Sequence, residues 1–89
     1  MKEKKKLKQR LSEIEKEIEA LTKKRAVIFD EWVELVKRNE REYELNGESN
    51  TSLVKKADDL LKSQKDIGRK IMTLISESEN LEERLSSLD

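Results

Sequence analysis

The chain has no cysteine, no histidine and no proline, only two glycines, and one each of tryptophan, tyrosine and phenylalanine among 89 residues. Without cysteine there is neither a disulfide nor a thiolate metal site. Without histidine, the commonest general base and the commonest transition-metal ligand are both missing. The aromatic fraction of 3% is too small for a compact mixed core. Charge of one sign is also lacking: 20 basic and 20 acidic residues cancel, which argues against a general nucleic-acid binder. The longest apolar run, Ala26 to Phe29, falls far short of the roughly 20 residues that span a membrane. The basic N-terminus has no apolar segment behind it, so it does not read as a signal peptide. The expectation is a cytoplasmic protein with no membrane contact.

What is present is charge and helical periodicity. Charged residues make up 45% of the chain, in a composition rich in Glu, Lys, Leu and Ser, as in long surface-exposed helices. Low hydrophobic content is also compatible with disorder, but here the apolar residues recur at helical spacing over nearly the whole length. Leu7, Leu11, Ile14, Ile18 and Leu21 step by four and three, the seam of a coiled coil. After the midpoint, Ala57, Leu60, Gln64, Ile67, Ile71, Leu74, Ser78, Leu81, Leu85 and Leu88 keep the same alternation without a slip. Between the two patterns lies the only break, Leu45 to Ser52. Gly47, preceded by Asn46, suits a left-handed helix cap, and Asn50, Thr51 and Ser52 are all good N-cap residues. The sequence therefore predicts a single all-α domain over residues 1–89, a two-helix antiparallel coiled-coil hairpin. Its helices cover about 3–45 and 51–88, and its turn covers 46–51.

The seam is not the whole apolar surface. Continuing it gives Arg25, Ile28, Trp32, Leu35 and Asn39, while a second series, Ala26, Phe29, Val33, Val36 and Tyr43, runs about 100° round the same helix. On the second helix Leu61, Met72 and Ile75, with Gly68 between them, widen the face as well. Either a second partner surface lies near the turn, or the helix changes phase through an 11-residue repeat (Ile18, Leu21, Arg25, Phe29, Trp32, Val36). Folding the chain about residues 48–49 predicts Phe29 opposite Gly68, Leu11 near Leu85, Ile18 near Ser78 and Leu81, and Trp32 near Gln64 and Ile67.

The ends favour the antiparallel arrangement. Residues 1–10 hold six bases against Glu3, and the stretch from Glu77 holds five acids, Asp89 included, against Arg84. Each cluster opposes the dipole of its own helix end, and side by side they offset each other. Two helices of about 36–42 residues, roughly 55–60 Å long at 1.5 Å per residue, cannot enclose a globular core. A partner is therefore expected: a second copy, giving a homodimeric four-helix bundle, or a larger helical protein.

No motif carries chemistry. There is no Gly-rich phosphate loop and no nucleophile beside a base. Pairs such as Glu31 and Glu34, or Glu79 and Glu82, have the spacing of solvated faces. No catalytic residue, metal ligand or cofactor is expected. The expected function is a non-enzymatic protein–protein interaction module, an adaptor, assembly or regulatory coiled coil. Its interface would comprise Ala26, Phe29, Trp32, Val33, Val36, Tyr43, Leu61, Met72 and Ile75. An alternative is a nucleic-acid accessory protein contacting an anion through Lys4, Lys5 and Lys6. Two families are loosely similar. Arg10, Ile14, Ile18, Leu21 and Arg25 resemble the opening helix of the all-helical chorismate mutases, but that family draws its cations from three helices, and no catalytic role carries over. Size and hairpin shape resemble the small secreted helical proteins with a Trp-x-Gly turn, which implies a secreted partner protein. Here Trp32 is followed by Val33 and Glu34, and Gly47 stands in the turn without a tryptophan.

Overall fold

The computed structural model describes residues 2–88; Asp89, counted above among the C-terminal acids, lies outside them. It is all-helical, with two helices and no strand among the described residues: α1 (Lys2–Asn46) and α2 (Thr51–Leu88). They fold back on each other as a hairpin of 67 × 15 × 14 Å. The long dimension is close to that of a straight 45-residue α1 at about 1.5 Å per residue.

The turn follows from its capping residues. Gly47 adopts φ 74°, and its N–H donates to the Tyr43 carbonyl at 2.7 Å, the single-bond form of a left-handed C-cap. Asn50 begins α2. Its side-chain oxygen accepts from the N–H groups of Ser52 (3.0 Å) and Leu53 (3.2 Å), and its carbonyl accepts the first helical bond from Val54. Asn39, a polar seam residue of α1, closes the corner: its side-chain oxygen accepts the Asn50 N–H at 2.8 Å. This bond draws the start of α2 back alongside Asn39, so the last turn of α1 overhangs the returning helix. Tyr43 and Leu45 are therefore exposed, at 57% and 83%.

The overhang changes the register. The residue over Gly68 is Arg25, whose guanidinium lies 3.7 Å from where a Cβ would stand. Phe29, expected at that position, is 46% exposed and instead lies against Trp32, with ring centroids 5.9 Å apart. Pairing is thus displaced by at least one helical turn from a fold centred on residues 48–49, and the Asn39–Asn50 contact puts it nearer two.

The core lies at the open end. Leu7, Ile14 and Leu81 form a buried cluster, with Leu11, Ile18, Leu74 and Leu85 packed against it. Only Ile14 is fully enclosed. Between Glu15 and Asp66 no residue is buried, and Ile67 alone is buried in mid-hairpin. Here Arg25, Asn39 and Gln64 interrupt the seam, and two helices offer no third layer to cover its edges. The residues least suited to helix interiors are satisfied locally: the hydroxyls of Thr22, Thr73 and Ser87 each donate to the carbonyl four residues back.

Candidate interaction surface

The seam runs through the turn-proximal half without changing phase. Ile28, Trp32, Leu35 and Asn39 are half-buried, whereas Phe29 is largely exposed. The second apolar series therefore remains beside the seam. In an antiparallel pair of heptad-patterned helices, each side of the seam is walled by corresponding flanks of the two helices. The hairpin accordingly has two flanks, and they differ in chemistry.

One flank is ionic. Arg10 donates twice across the gap to Glu77, Nε to Oε1 and Nη2 to Oε2, both at 3.0 Å. Its Nη1 reaches Glu13 and Glu17 at 3.4 Å. Two turns nearer the open end, Arg84 donates to Glu3 at 3.4 Å. Two-point hydrogen bonding from Arg10 holds the Glu77 carboxyl below the usual range, and the same bonds push the Arg10 guanidinium further up. Both side chains remain more than a third exposed, so salt screens the pair. Farther along this flank a shallow open groove runs between Glu31, Glu34 and Arg38 of α1 and Lys56 and Asp59 of α2. Its walls mix both signs of charge around Leu35 and Leu60. Among the described residues no group of three or more histidine, cysteine, aspartate or glutamate residues could hold a metal ion. Among the same residues no helix is long and apolar enough to cross a membrane.

The opposite flank is apolar. On α1 it carries Ala26, Phe29, Val33, Val36 and Tyr43; on α2 it carries Leu61, Met72 and Ile75. Val33, Val36 and Leu61 are half-buried against the seam, as is Trp32 within it. Ala26 is exposed, as are Phe29 (46%), Tyr43 (57%), Met72 (62%) and Ile75 (36%). These eight residues share one side because antiparallel pairing sets corresponding heptad flanks of the two helices against the same edge of the seam. Val54, 40% exposed, belongs to the same surface and was not among the residues singled out above. Its signal was present: Val54, Leu61, Gly68 and Ile75 recur every seven residues. Val27 and Leu45 are also exposed, but their place in the heptad puts them on the ionic flank.

The basic N-terminal arm lies at the far end from this surface. Lys5 and Lys6 are exposed; Lys4 is half-buried and has a partner. Beside the arm, Arg84 meets Glu3, the minority charge of each end pairing with the other. Compared with models of known protein families, with curated proteins and with solved structures, the chain finds no match.

Proposed function

We propose that the chain is a non-enzymatic protein–protein interaction module, an adaptor, assembly or regulatory coiled coil, that packs its apolar flank against a second helical hairpin to complete a four-helix bundle. The observation that carries this reading is the asymmetry of the hairpin. One flank is closed by charge, while the other leaves Phe29, Tyr43, Val54, Met72 and Ile75 exposed along one side. Scattered exposed apolar side chains need no explanation, but a contiguous strip on a small protein marks a surface that another molecule covers. Aromatic residues and methionine are the types enriched at such interfaces. When two hairpins pair, four helices around a shared core let each helix bury a wide face.

The test is co-purification from the native host with the tagged chain and with its Phe29→Asp, Val36→Asp variant. Both substitutions place a carboxylate on the strip, one at an exposed and one at a half-buried position, and leave the open-end core intact. The expected result is loss of the captured polypeptides, or of the chain's own second copy, with helicity retained. The same captured set from both proteins overturns the reading.

A further inference from the structure

We infer that the occupant of the apolar flank is a second copy of this chain, related by a twofold axis perpendicular to the hairpin and running antiparallel, with the axis at the level of Leu61. The inference rests on the interaction reading above and names its partner and register.

Asn39 meets Asn50 and Arg25 meets Gly68, which places Leu61 alongside the stretch from Ile28 to Trp32. The strip runs from Ile75, seven residues beyond Gly68 toward the open end, to Tyr43, and Leu61 stands near its middle. Two of the charges that interrupt it flank Leu61 with opposite sign. Lys65 lies four residues from Leu61 toward the open end, and Asp58 three residues from it toward the turn. A twofold axis there, crossing the hairpin, sets α2 of one copy against α2 of the other and brings Lys65 of each copy to Asp58 of the other, twice per dimer. A parallel pairing, about an axis along the hairpin, sets α2 against α1 instead, brings neither charge to the other, and leaves both overhanging turns at one end with nothing beside them.

The area suffices. The strip covers 25 residues of α1, roughly 38 Å at 1.5 Å per residue, on a hairpin about 15 Å wide. That is on the order of 600 Å² per copy and 1,200 Å² in all, the lower bound for a specific stable interface. Net charge of zero leaves no long-range repulsion between copies.

The native sequence has no cysteine, so a single label can be placed cleanly. Ser12 is exposed, outside the strip and twenty residues from Trp32. Spin-labelled Ser12→Cys protein, confirmed as a dimer by sedimentation, is expected to give one label-to-label distance of roughly 60 Å. A distance under about 25 Å, as helices packed side by side and parallel require, overturns the arrangement while leaving the interaction reading standing. A second measurement covers the register. Lys65→Asp weakens dimerisation by roughly tenfold, by replacing two exposed attractions with two repulsions, and adding Asp58→Lys restores it. In a parallel dimer Lys65 and Asp58 of the two copies lie on diagonally placed helices, and the second substitution does not restore what the first removes. A chain that sediments as a monomer at every concentration overturns the inference; if the Phe29→Asp, Val36→Asp variant still loses its captured partner, the interaction reading survives with a different protein in the site.

Discussion

Replacement of Ile14 by alanine is the sharpest test of where the hairpin's stability lies. Ile14 is fully enclosed, touching the open-end cluster of Leu7 and Leu81 with Leu11, Ile18, Leu74 and Leu85 around it. Truncation removes three carbon atoms, worth about 2–2.5 kcal/mol by transfer alone. Isoleucine-to-alanine changes in cores range over about 2–5 kcal/mol, the upper values arising where a sealed cavity persists. Here only two helices close the site, and the partly buried Leu11 and Ile18 can lean inward, so the loss should fall near the lower end, about 2–3 kcal/mol. For a domain of this size that lowers Tm by roughly 10–20 °C. The assay is urea unfolding followed by helical circular dichroism, run at two protein concentrations so that any association term separates from the fold. Met72→Ala is the internal control: its side chain is 62% exposed in the single hairpin, and at high dilution its loss should stay within about 0.5 kcal/mol. If Ile14→Ala unfolds no more readily than Met72→Ala, the open-end cluster is not what holds the helices together.

Four further substitutions probe the turn, the glycines and the ion pair. Asn50→Ala removes the acceptor for the Ser52 and Leu53 N–H groups and should destabilise by about 1 kcal/mol in the same unfolding experiment; an unchanged midpoint would mean that the cap contributes nothing. The two glycines should respond with opposite sign. Gly47→Ala forces φ 74° on a residue with a Cβ and should lower stability by about 1–2 kcal/mol. Gly68→Ala places a methyl at ordinary contact distance from the flexible Arg25 side chain and should raise it by up to about 1 kcal/mol. A destabilised Gly68→Ala hairpin would show that something less yielding than Arg25 fills that space. The Glu77 carboxyl has its pKa lowered by Arg10, so its contribution is full above the ordinary carboxylate range and fades as pH falls through the lowered folded value. Glu77→Gln should therefore flatten the acid limb of a stability–pH curve, and high salt should do the same to the parent chain; two parallel acid limbs would remove the pair from the account.

What the sequence by itself determined is local. Steps of three and four residues make amphipathic helices wherever they occur. The stretch from Asn46 to Ser52 stops one helix and starts another because Gly47 tolerates a left-handed backbone and Asn50 can bond the first free N–H groups. Absence of histidine and cysteine limited the chemistry before any fold was known. What only the tertiary structure decided is which residues face each other. A single side-chain bond, Asn39 to the Asn50 backbone, sets how far α1 overshoots α2. An overshoot of at least one helical turn sets the Arg25 guanidinium, rather than Phe29, over Gly68 and leaves Tyr43 exposed. Periodicity fixes the face a side chain occupies on its own helix, but it carries no information about axial offset between two helices, because the seam repeats itself every seven residues. The ionic partners Arg10 and Glu77, 67 residues apart in the chain, follow from that offset, whereas two separate apolar series gather onto one flank because antiparallel pairing sets like heptad positions side by side.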